Sequence, residues 1–135
     1  MYKNILVPIA FDETRDSRAA LEIAHAISED GAAITALHVV EEIPSYVAQY
    51  LPEAQHKTNL DEIGEALKAK VNGDAGVTVK VVEGHAGHSI VEYAAQNGID
   101  CIVIASHRPG FQDYFLGSTA ARVVRHASCA VHVVR

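Results

Sequence analysis

The chain has 135 residues, with 11 Lys plus Arg against 17 Asp plus Glu, a formal charge of −6, 49 % apolar and 6 % aromatic residues; this size and apolar share suit one domain over 1–135. Residues 1–107 hold 7 basic and 16 acidic side chains, a balance of −9, whereas 108–135 hold Arg108, Arg122, Arg125 and Arg135 against Asp113 alone, a balance of +3. An acidic body with a short basic end argues against a nucleic-acid partner, which wants a broad basic face, and no apolar run approaches the roughly 18–20 residues of a membrane span.

The first apolar run, Ile5 to Ile9, is interrupted by Pro8 and is too short for a secretory h-region, so a cytoplasmic protein is expected. Ile5-Leu6-Val7 reads as a strand. Arg18 to Ile27 reads as a helix, with Ala19, Ala20, Ile23, Ala24 and Ile27 on one stripe and Gly31 as its stop. Ala33 to Val40 is a second strand. Residues 41–56, with Pro44 and Pro52, show no period and read as an irregular excursion. Asn59 or Asp61 would open a helix to about Val71, with Ile63, Ala66, Leu67 and Lys70 in register, and 72–76 is a turn cluster. Val77 to Val82 is a third strand and Ser89 to Asn97 a helix. Cys101 to Ala105 is a fourth strand, apolar throughout and so buried on both faces. A loop over 106–116 leads to a helix from Gly117 to His126, with Ala120, Ala121, Val123 and Val124 inward, and Ala130 to Val134 is the last strand. Cys101 and Cys129 form neither a CxxC pair nor a zinc pattern and read as free thiols.

Strands alternating with helices predict an α/β fold: a doubly wound, five-stranded parallel sheet sandwiched by four helices, with right-handed crossovers. Ligands bind such sheets beyond the carboxyl ends of the strands, where strand order reverses. That places the loops at 8–17, 40–58 and 105–117 around any site. No Walker loop, G-x-G-x-x-G, G-x-S-x-G or H-E-x-x-H is present. No catalytic residue is assigned, and no metal ligand either. His85 and His88 could share a helix face, but spacing fixes no third ligand.

The stretch Ala105-Ser106-His107-Arg108-Pro109-Gly110, followed at 117–119 by Gly-Ser-Thr, carries the most chemistry. Free N–H groups and the macrodipole at a helix N-terminus attract an anion, and Gly117 lets a phosphate come close to the backbone. Ser118 and Thr119 would add hydroxyl donors, and Arg108 a bidentate contact. Alternatively, Ser118 merely caps the helix and Arg108 is solvated.

These residues also resemble the universal stress protein family over nearly the whole chain. The resemblance rests on Ile5-Leu6-Val7-Pro8-Ile9, Leu37-His38-Val39-Val40, Val82-Glu83-Gly84, Ile102 to His107, Leu116-Gly117-Ser118, and Val123 to Ala127 running into Val131 to Val134. It implies a Rossmann-like domain of strand order 3-2-1-4-5 that binds an adenine nucleotide, ATP with or without Mg2+, and forms a homodimer. Nucleotide-binding members carry G-x-x-G, a spacer, then G-[ST]. Here Gly117-Ser118 keeps the second half, while Ala105 and Arg108 stand at the two earlier glycines. Pro8 and Ile9 would then line the base pocket, and the Val39 backbone would meet the adenine edge. Ala10 stands where the family has Asp, and Asp12 would substitute for that carboxylate. His107 would donate to a phosphate or order its loop. His38, His126 and His132 read as structural. The apolar edge strand 130–134 would pair with its mate in a second copy. The function so implied is an ATP-binding stress-response sensor or regulator. A slow ATPase in the same cleft, or a partner-binding protein without nucleotide, are the alternatives.

Overall fold

The computed structural model describes residues 1–11, 14–41, 45–71, 74, 76–106 and 116–135. Five strands, β1 (Tyr2–Pro8), β2 (Ser28–Val40), β3 (Val77–Glu83), β4 (Cys101–Ala105) and β5 (Ala130–Val134), make one parallel sheet in the order β3-β2-β1-β4-β5. The helices are α1 (Thr14–Ile27), α2 (Ser45–Ala48), α3 (Glu53–Lys70), α4 (Ala86–Gln96) and α5 (Ser118–His126). The expected sheet and strand order are found.

Side-chain alternation along the strands builds two cores. One face of the sheet joins Ile5, Val7, Ile34, Ala36, Cys101 and Val103 to Ala20, Leu21 and Ala24 of α1 and Leu67 of α3. The other joins Leu6, Leu37, Ile102 and Ile104 to Ile90 and Ala94 of α4 and Ala120 and Val123 of α5. β4 thus feeds both cores, which is why its sequence shows no polar alternation.

Several boundaries differ from expectation. The four predicted helices become five, because the turn α2 lies inside the stretch read as irregular. α3 starts at Glu53, ahead of Asn59 and Asp61. Pro52, at φ −58°, sits at its N-cap, where a missing N–H costs nothing. α4 likewise starts at Ala86 rather than Ser89. Its Gly87 is buried under Arg122: a Cβ there would lie 2.6 Å from Arg122 Cδ, so any larger residue would have to displace the Arg122 side chain. Gly31 does not stop α1, which ends at Ile27. It lies inside β2 at φ +79°, where the β1–β2 register shifts between Tyr2↔Ser28 and Asn4↔Ala33. Val124, expected inward, is exposed. Of the turn cluster 72–76, residues 72, 73 and 75 fall outside the described residues.

The return from α4 to β4 is fastened to β1. The Asp100 carboxylate accepts from the Lys3 N–H (2.8 Å) and the Asn4 N–H (3.0 Å), and the Asn4 amide donates to the carbonyls of Asn97 and Gly98. Losing two charge-assisted bonds at a half-buried site is expected to make Asp100→Ala about 1–2 kcal/mol less stable by urea denaturation. An unchanged midpoint would show that solvent replaces both bonds.

Cys101 and Cys129 are both free. Burial, helped by the nearby Cys129 and Asp100 charges, pushes the Cys101 thiol up to about 11 from its ordinary 9.0. Burial raises Cys129 as well. A neutral acid whose folded pKa is raised contributes stability below its unfolded pKa and loses it above, because the unfolded chain releases the proton first. Stability is therefore expected to fall between pH 9 and 11, by on the order of 2 kcal/mol. Cys101→Ala should show a shallower decline in denaturant melts across that range. Equal slopes would contradict the assignment.

Candidate functional site

A cleft of about 440 Å³ opens beyond the carboxyl ends of the strands. Its apolar walls come from Pro8, Ile9 and Ala10 at the end of β1, Leu37 and Val39 of β2, Ile104 and Ala105 of β4, and Ile90 of α4. Its polar end is the start of α5, Gly117, Ser118 and Thr119, with Ser106 beside it. The cleft therefore lies on both sides of β1 and β4, the neighbours at which strand order reverses.

The polar end is built by the backbone. β4 stops at Ala105, and Ser106 is fastened to the last strand: its N–H donates to the Val134 carbonyl at 2.9 Å and its hydroxyl to the same oxygen at 3.3 Å. Gly117 is the N-cap of α5, and its carbonyl accepts the helix's first bond, from the Ala121 N–H, at 2.8 Å. Gly117, not Ser118, is the N-cap, so the reading of Ser118 as a cap is not what forms, and among the described residues no side chain caps the helix. The first turn of α5 lines the cleft end with no capping side chain among the described residues, while Arg125 and His126 occupy the last turn and favour the same dipole. Gly117 has φ −58°, open to any residue, and a Cβ on it would rest 3.5 Å from the Ser106 carbonyl, an ordinary contact. Neither backbone strain nor crowding by the described residues asks for glycine at 117. What the missing side chain does is leave the helix N-terminus bare.

Of the residues singled out in the sequence, Pro8, Ile9, Ala10, Val39, Ala105, Gly117, Ser118 and Thr119 are brought together around this cleft. Asp12, His107 and Arg108 lie outside the described residues. The basic end of the chain is dispersed: Arg122 lies over Gly87, and Arg125 is in the last turn of α5.

Sequence reasoning missed Ser17, Leu37, His38, Ala86, Ile90, Ile104, Ser106, Leu116 and Ala120 as lining residues. Ser106 was findable, since it follows a doubly buried strand at its carboxyl end. Ala86 was not, because α4 was expected to begin later. His38, read as structural, does hold structure as well as line the cleft. The Ile9 carbonyl can only accept, so Nδ1 of His38 carries the proton in the 2.8 Å bond between them. The paired histidines of α4 face carboxylates instead of each other: His88 lies 3.2 Å from Glu92, and His85 3.9 Å from Glu41. Among the described residues, no group of three or more His, Cys, Asp or Glu side chains could hold a metal ion.

An apolar slot ending in bare N–H groups suits a ligand with a flat apolar part and an anionic part. The class is thus a doubly wound α/β domain with a ligand cleft at its switch point. Within that class, the universal stress protein family model matches residues 1–135, and the chain belongs to this family. It is similar to the universal stress protein A homolog 2 of Coxiella burnetii, 36 % identical over 148 residues and covering 99 % of this chain and 95 % of the relative. Among solved structures it is similar to hypothetical protein MJ0577, with a TM-score of 0.75 and 30 % identity over 99 % of this chain and 96 % of that one. Two more distant universal stress proteins share the fold at TM-scores of 0.60 and 0.59. One was solved in complex with cAMP, the other, from Archaeoglobus fulgidus, in complex with dAMP.

Proposed function

We propose that this chain binds an adenine nucleotide, ATP with or without Mg2+, and acts as a cytoplasmic stress-response sensor or regulator. The observation that carries the reading is Gly117. It is a glycine that nothing among the described residues requires, placed at a helix N-terminus that they leave uncapped and that closes a largely apolar cleft. The phosphates would lie against the N–H groups of residues 118–120, with the Ser118 and Thr119 hydroxyls beside them. The base would lie among Pro8, Ile9 and Val39. Asp12, His107 and Arg108 belong to the same proposal, as ribose-side and phosphate-side contacts. The complexes of family relatives with cAMP and dAMP support the ligand class.

Binding rather than turnover is the proposed activity, because no nucleophile and paired base meet among the described lining residues. The proposal includes a homodimer through β5, which pairs with β4 on one side and is the last strand in the sheet. Native mass spectrometry of protein purified without added ligand tests the reading. An adduct with the mass of an adenine nucleotide, displaced by ATP, is expected. The reading fails if no adduct forms and calorimetry with ATP, with and without Mg2+, gives no binding heat.

A further inference from the structure

The segment that leaves β1 forms one wall of the cleft, yet the sheet holds only its start: the Ile9 N–H donates to the Leu37 carbonyl at 2.8 Å. The next three carbonyls are held by side chains from elsewhere in the fold. His38 on β2 donates to the Ile9 carbonyl. Lys70, near the end of α3, donates from its ammonium to the Ala10 carbonyl at 3.1 Å and the Phe11 carbonyl at 3.2 Å, across 60 and 59 residues of sequence. The same ammonium lies 5.2 Å from the centre of the Phe11 ring, and that ring meets the His38 ring edge-on at 4.4 Å. One cation thus binds two successive carbonyls and the ring between it and His38.

We propose that Lys70 is the positioning residue of this cleft: it does not line the cavity, but it sets the backbone of residues 9–11 in the conformation that receives the ligand. Ile9 is buried in the core and Phe11 packs against it, so the ends of this segment are anchored by their side chains, whereas Ala10 between them offers only a methyl group. The path of the backbone between those anchors is set by capture of its carbonyls, and the capturing group comes from a helix with no residue among the described lining of the cleft. The ligand affinity of the wall is then scaled by the fraction of molecules in which Lys70 is docked. For the identity of the ligand, the inference rests on the nucleotide reading above.

The test compares wild type with Lys70→Met, which keeps an apolar stem but removes the donors, and with Lys70→Arg, which keeps a cation and several donors. Calorimetry is run with ATP and with AMP, and amide hydrogen exchange is followed at Ala10 and Phe11. Lys70→Met is expected to weaken both nucleotides by about tenfold, with the ATP-to-AMP affinity ratio unchanged, because a wall is displaced and no phosphate contact is lost. It should also speed exchange at Ala10 and Phe11 by a similar factor, while Lys70→Arg restores both. Wild-type affinity in Lys70→Met would overturn the proposal. So would a changed ATP-to-AMP ratio, which would place Lys70 on the phosphates. Were wild type itself to bind no adenine nucleotide, the nucleotide reading would fall, and the exchange data would decide on Lys70 separately: unaltered exchange at Ala10 and Phe11 in Lys70→Met overturns its positioning role.

Discussion

Gly117→Val is expected to weaken ATP binding by about 10–100-fold while leaving the fold in place, the effect of losing one or two hydrogen bonds to a charged group. The backbone at 117, with φ −58° and ψ 154°, is as open to valine as to glycine, and among the described residues a Cβ there meets only the Ser106 carbonyl at 3.5 Å. Among the described residues nothing at Cβ distance opposes the substitution beyond the modest N-cap preference for glycine over valine, worth about 1 kcal/mol. A bound phosphate would oppose it, because branched bulk would stand beside Ser118 and Ser106 at the polar end of the cleft. Calorimetry with ATP and a thermal melt separate the two effects. A large loss of affinity with a small shift in melting temperature is expected. Wild-type affinity in Gly117→Val would mean that the ligand does not approach the start of α5.

Leu67→Ala is expected to cost about 2–5 kcal/mol, the largest stability effect anticipated here. α3 is 18 residues long, yet Leu67 is its one fully buried side chain among the described residues, at 0 % exposure in the core shared with α1. The side-chain hydrogen bonds that tie α3 to the rest of the fold are partly exposed: His56 to Glu83 at 2.9 Å, and Lys70 to the carbonyls after β1. Such contacts contribute roughly 1 kcal/mol each. Removing Leu67 should therefore loosen the helix as a unit. Ile63→Ala, at a half-buried position of the same helix, should cost less than half as much. Urea denaturation of the two variants checks the ranking, and equal costs would show that α3 is held along its length rather than at one residue. Because Lys70 lies one turn from Leu67, Leu67→Ala should also release the wall of the cleft, which links packing in the core to affinity at the site.

The legible part of this molecule was the part written in local patterns. Cys101 to Ala105 reads as a doubly buried strand because four consecutive side chains enter two cores, which marks it as interior to the sheet. Gly117-Ser118-Thr119 after a loop reads as a helix start because its composition is local too. The start of α3 was not legible: the residues from Glu53 to Lys57 carry no apolar period, since they are largely exposed, and the boundary is set by Pro52 alone. Gly31 misled for a different reason. A positive φ serves a helix stop and a strand irregularity equally, and only the pairing of β2 with β1 chooses between them. Lys70 and His38 were invisible as contributors to the cleft because their partners, the carbonyls of residues 9–11, lie 29 to 60 positions away in sequence. Side chains that hold backbone across such distances leave no periodic trace.

The family and the strand order place a cleft, and the bare start of α5 gives it a polarity: apolar on the β1 and β2 side, anion-seeking at residues 117–120. The most direct test of that polarity is an amide NMR titration of the whole chain with ATP. Saturation is expected to move the amides of Ser118, Thr119 and Ala120 most among the described residues, and AMP to move them less than ATP does while shifting Ile9 and Val39 equally. Saturation that leaves residues 118–120 unmoved, or an absence of any shift with ATP, would contradict it.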